Sequence, residues 1–169
     1  MTVTRDASAD SVAISGESGL DRLAQEAAGG DPARIARLVD AMGPVLVRYC
    51  RARMGRRDHS YRAADEVAQE AGRAVLVAVP GYSGGPFLRL LHQIAARTVD
   101  ELDRRPAHPP AGTELTELLP ALPRMERDIM VLRVGTGLST EDTALVLAVS
   151  PAEVRVAQHR ALTRLRAML

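Results

Sequence analysis

Apolar residues along this chain recur at intervals of three and four, the period of an amphipathic helix, and the pattern is broken by Gly and Pro. It predicts helices over about 20–28, 32–54, 61–79, 87–105, 114–119, 124–134, 140–147 and 151–168. Gly29-Gly30, Gly55, Pro80-Gly81 and Pro106 end the first four, and Asp31 with Pro32 opens the second. Gly43-Pro44 should bend or interrupt that second helix. Its candidate buried positions are Ile35, Leu38, Val39, Met42, Leu46 and Val47. In the fourth they are Leu88, Leu91, Ile94, Ala95, Val99 and Leu102. Residues 1–19 are polar and aperiodic and read as a flexible tail. PAHPPAG at 106–112 reads as a linker that spans at most about 25 Å. The fold class is therefore all-α: two small helical domains, 20–105 and 113–169, joined by a short Pro-rich linker.

The last thirty residues carry the sharpest pattern. Ser139 precedes Asp142 by three residues, and Ser150 precedes Glu153 by three. Each Ser can cap a free backbone N–H, and each acid suits the positive end of the helix dipole; only Ser150-to-Glu153 is a full capping box. Pro151 fits the first helical position. Ala144, Leu145, Leu147 and Ala148 form the inner stripe of the first helix, and Val154, Ala157, Ala161, Leu162 and Leu165 that of the second. The opposite face of the second helix carries Arg155, Gln158, His159, Arg160 and Arg164. A short capped helix, a tight turn and a longer helix with a basic outer face describe a helix-turn-helix; a plain helical hairpin with a solvated face is the other reading.

Charge changes the picture. The net charge is +1, yet residues 34–62 hold eight Arg against two acids and residues 151–169 four Arg against one. A nearly neutral chain with two basic regions binds DNA weakly alone, which favours a protein that meets DNA beside a larger partner. Arg48, Arg51, Arg53, Arg56 and Arg57 form the densest basic run, either a solvated face or a contact surface. Asp65, Glu66, Gln69 and Glu70 cluster on one side of the third helix without a nucleophile or metal set, so a docking or solvated surface fits better than acid–base chemistry. Cys50 stands alone and suits a small buried position. His59, His92 and His108 are dispersed, and no phosphate loop appears, so neither an enzyme nor a metal or cofactor is expected. No apolar run reaches 18 residues and the N-terminus lacks signal-peptide character, so a cytoplasmic protein without membrane insertion is expected.

Residues 20–169 resemble a bacterial sigma factor of the extracytoplasmic-function type. GDPARIARLVDAMGPVLVRYCRARMG, ADEVAQEAGRAVLVAVPGY and GGPFLRLLHQIAARTVDELDRR are similar to its region two, and the segment from LLPALPRMERDIM to the C-terminus is similar to region four. The resemblance implies core RNA polymerase and promoter DNA as partners, with an anti-sigma factor as a further one. By position it implies that Asp65, Glu66, Gln69 and Glu70 meet the polymerase clamp. Arg97, Thr98, Asp100, Glu101 and Arg104 would face the downstream promoter element, and Arg155, Gln158, His159 and Arg160 the upstream one. Tyr82 and Phe87, with His92 third, are the aromatic candidates for base stacking during melting. The alternative is a sigma-like regulator that docks on polymerase or an antagonist without supporting initiation.

Overall fold

In the computed structural model, the structure describes residues 17–56, 60–103 and 118–169. Seven α-helices run in order: α1 Glu17–Ala28, α2 Pro32–Met54, α3 Arg62–Ala78, α4 Phe87–Asp103, α5 Arg124–Met130, α6 Thr140–Leu147 and α7 Pro151–Met168. Short 3₁₀ turns lie at Val79–Gly81 and Leu119–Ala121, and a π-helical turn, Val131–Gly135, continues α5. The linker 106–112, Arg104, and most of the helix expected over 114–119 lie outside the described residues. So does the tail up to residue 16; α1 begins at Glu17, inside the stretch read as tail.

Helices α1 to α4 pack around Leu38, Met42, Leu46, Val75, Phe87, Leu91 and Val99, all buried. Asp31 caps α2 by accepting from Arg34 N at 3.0 Å. Pro44 does not interrupt α2. It lies exposed, as does Asp40, whose carbonyl its ring leaves without an intrahelical donor, so water can satisfy that oxygen. Val39 is 37% exposed rather than buried; the core face runs instead through Tyr49, Cys50 and Met54. Burial pushes the Cys50 thiol up to about 12, which keeps it protonated and unreactive. The Arg run at the end of α2 is divided by its neighbours. Arg51 grips Asp65 of α3, with Nε and Nη2 donating at 2.7 and 2.8 Å. Arg53, largely buried, donates to Asp100 of α4 at 3.1 Å. The Arg51 and Arg56 guanidinium groups each lie 5.1 Å from the Tyr61 ring centre.

The C-terminal helices sit directly on this bundle, and one apolar core runs through both units, with Met130, Val131, Leu132 and Val146 joining residues of α2 and α4. Arg89 of α4 donates twice to the Leu145 carbonyl, at 2.7 and 3.0 Å, and so holds the C-terminal end of α6. This explains a difference on α6. Its buried residues are Thr143, Ala144 and Val146, whereas Ala148 is exposed. Ala144 faces Ile129 and Val154 inside the C-terminal unit, while Val146 turns the other way to line a small crevice with Leu88, Leu91 and Leu132. A helix covered on two sides loses the single stripe that its sequence suggests.

His92 lies in that crevice, edge-on to Tyr49 with ring centres 5.3 Å apart, and its Nε2 has no hydrogen-bond partner among the described residues. Burial pushes its pKa below 6.5; Asp128 and Asp100 oppose the shift, and Arg53 and Arg124 add to it. The unfolded chain therefore binds the extra proton as pH falls through about 6.5, and the folded chain resists it. Stability should decline from about pH 7 towards pH 5.5, before most carboxylates titrate. Thermal unfolding across that range should show a shallower decline in His92→Gln than in the wild type.

Candidate nucleic-acid and partner-docking surfaces

The C-terminal unit is built around the α6–α7 turn. Ser139 accepts from Asp142 N at 2.9 Å. Ser150 accepts from Glu153 N at 3.2 Å, while the Glu153 carboxylate accepts from Ser150 N at 2.7 Å, completing the capping box. The Ser150 N–H and the Ser150 hydroxyl, which donates to the same carboxylate at 2.7 Å, hold the Glu153 carboxyl below its usual range. Ala148 adopts the left-handed conformation at φ 56°, and Val149 N donates to Ala144 O, which reverses the chain within three residues. Before α6, the π turn closes with Thr136 N donating to Val131 O at 2.8 Å. Arg133 leaves this turn to bond the Leu138 carbonyl and to donate to Gln158 Oε1 of α7 at 3.2 Å.

Inward, α7 buries Val154, Ala161 and Leu165. Outward it exposes Ala152, Arg155, Val156, His159, Arg160 and Thr163. Neither Arg155 nor Arg160 forms an ion pair among the described residues. One expectation for this helix needs correction. Gln158 is half-buried and held by Arg133, so it does not share the outer face with Arg155, His159 and Arg160. Arg164 stays exposed as expected, and from there its guanidinium reaches the buried Glu126 of α5 at 3.1 Å, a contact of charge rather than an aligned hydrogen bond. Gln158 lies at the edge of the buried stripe, where Arg133 of the π turn needs a partner. Sequence periodicity could not separate edge from face without knowing those neighbours. Val156 and Thr163 on the outer face were the residues it passed over.

On α3, Glu66, Gln69, Glu70, Arg73 and Val77 form an exposed stripe, with Asp65 half-buried at its edge. Each carboxylate has a local arginine: Asp65 with Arg51, Glu66 with Arg62 at 3.0 Å, Glu70 with Arg73 at 2.5 Å. The Arg51 hydrogen bonds hold the Asp65 carboxyl below its usual range. Val77, 83% exposed, extends the stripe with an apolar residue. Exposed pairs of this kind each contribute at most about 1 kcal/mol, so the carboxylates can exchange partners at small cost.

Between α3 and α4 runs an open groove of about 510 Å³. Glu70, Ala74 and Ala78 line one wall; Leu90, Gln93, Ile94, Arg97, Thr98 and Glu101 line the other. Arg97 and Glu101 are exposed and pair at 3.4 Å, and the Thr98 hydroxyl donates to Ile94 O. Asp100 is separated from them, turned towards α2 to accept from Arg53. Phe87 is fully buried and His92 is interior, so neither offers a stacking surface. Tyr82 packs edge-on against Phe87 and its hydroxyl donates to the Gly85 carbonyl.

The fold and the basic outer face of α7 define a helix-turn-helix protein of the DNA-binding class. Residues 113–165 match the family model described as sigma-70, region 4. The chain is 39% identical to the ECF RNA polymerase sigma factor SigD of Mycobacterium tuberculosis, covering 92% of this chain and 86% of that one. It is 36% identical to the ECF RNA polymerase sigma factor ShbA of Streptomyces griseus, covering 86% and 93% respectively. Its fold is similar to that of CnrH in a complex with the cytosolic domain of CnrY, with a TM-score of 0.69, 25% identity and coverage of 88% of this chain and 96% of that one. The chain belongs to the extracytoplasmic-function (ECF) family of RNA polymerase sigma factors. As such it binds core RNA polymerase and directs it to promoters, and the family consists of DNA-binding regulators rather than enzymes.

Proposed function

We propose that three surfaces of this sigma factor divide the work of initiation. The outer face of α7, with Arg155, His159 and Arg160, reads the upstream promoter element. The observation that carries this assignment is a capped helix presenting two exposed arginines, neither paired among the described residues, on the side opposite its buried stripe. Arginine suits the paired acceptors on the guanine edge. Arg97, Thr98 and Glu101, beside the groove between α3 and α4, face the downstream element, together with Arg104. The α3 stripe, Asp65, Glu66, Gln69 and Glu70, docks on polymerase by trading its local arginines for those of the larger partner. Residues 20–105 and 113–169 act as the two recognition units, and the site of action is the cytoplasm, where polymerase and chromosome meet. An anti-sigma factor bound to this fold would control it; CnrH, of similar fold, forms a complex with the cytosolic domain of CnrY.

Reconstitution with core RNA polymerase and run-off transcription on genomic fragments tests the reading. Discrete transcripts that require the chain are expected. Arg155→Ala and Arg160→Ala should each weaken promoter binding by about 1–3 kcal/mol in a base-dependent way. Equal loss on every DNA sequence would make them phosphate contacts instead. Stable polymerase binding without transcripts would identify a sigma-like regulator.

A further inference from the structure

Val156 does not fit the requirements of the helix that holds it. It lies in the second turn of α7, 50% exposed, two residues beyond the fully buried Val154 and so about 200° around the helix from the core side. A β-branched side chain is a poorer helix former than alanine or arginine, and hydrocarbon left in water gains nothing by burial. Towards the start of the helix its exposed neighbours are Ala152 and the capping Glu153; beside and beyond it stand Arg155, His159 and Arg160, exposed and polar. An apolar knob thus stands at the edge of a basic surface. A basic rim suits DNA, and the apolar group that the major groove offers is the C5-methyl of thymine; cytosine at the same place lacks it.

We infer that Val156 is a specificity-determining residue whose methyl groups pack against a thymine C5-methyl in the upstream promoter element, between the base edges addressed by Arg155 and Arg160. This rests on the reading of α7 as the major-groove helix. The arginines select by hydrogen bonds, and Val156 adds selection for thymine at one position by apolar contact.

The test uses the full chain bound to core polymerase on promoter duplexes mapped by run-off transcription. Each thymine of the upstream element is replaced in turn by deoxyuridine, which keeps its pairing and loses only the methyl. At one or two positions the wild type should lose about three- to fivefold in affinity, the loss expected for one buried methyl group. Val156→Ala should bind the thymine duplex more weakly and discriminate little between the two bases. Its thermal stability should match or exceed the wild type, because the site is exposed and alanine favours the helix. Wild-type indifference to uracil at every position, or full discrimination retained in Val156→Ala, would overturn the proposal. If Arg155→Ala still lowers base-dependent binding in that case, only the role of Val156 fails. If it does not, the assignment of α7 as the reading helix fails as well.

Discussion

Gly135→Ala is expected to loosen the C-terminal unit from the rest of the protein and to lower the thermal midpoint by roughly 2–12 °C. The π turn brings Gly135 against α2 so closely that an added Cβ would overlap the Cβ of Ala52, with the Ala52 Cα at 3.6 Å. Neither atom belongs to a flexible side chain, so a helix must move. Overpacking of this kind costs about 1–3 kcal/mol, and each kcal/mol lowers the midpoint of a chain this size by about 2–4 °C. Calorimetry of the full chain checks the shift. Ala52→Gly in the same background should restore part of it by removing the clashing methyl, less the roughly 0.5–1 kcal/mol that glycine costs inside a helix. An unchanged midpoint in the single variant would show that the two units do not approach as closely as the structure places them.

Phe87→Ala should be the most damaging single truncation in the N-terminal unit. Phe87 opens α4, its N–H donates to Asp21 of α1 at 2.7 Å, and its ring is fully buried beside Tyr82. Removing a buried phenyl ring costs about 3–5 kcal/mol, and a midpoint drop of roughly 6–20 °C follows. The sequence made Phe87 a candidate for stacking on a melted base; its burial makes it a core residue. Phe87→Leu, assayed well below its own midpoint, should therefore open promoters as the wild type does, with permanganate reactivity of unpaired thymines as the readout. Selective loss of opening by a folded Phe87→Leu would return the residue to the melting site.

Much of the fold was legible because it is local. The bounds of α6 and α7, the two serine caps and the capping box follow from residues within four positions of one another, and the structure places them as the spacing implies. The outward placement of Arg155, His159 and Arg160 follows in the same way from helical periodicity. The placement of Gln158 and Asp100 was missed for the opposite reason. Each sits at the margin of a buried stripe, and its partner, Arg133 or Arg53, lies 25 or 47 residues away in the chain. Glycine at 135 reads in sequence as a helix stop; only the approach of α2 gives it a second role as the site of close contact.

By itself the sequence determined the helices α1 to α4, α6 and α7, the serine caps, the helix-turn-helix and the family, since these depend on short-range periodicity and on motifs written contiguously. The tertiary structure alone decided that the two units share one continuous core, that the α2 arginines serve as braces to α3 and α4, and which polar side chains remain on the surface to meet a partner. Those outcomes depend on which helix lies against which, and a side chain's environment is set by neighbours that the linear order does not specify.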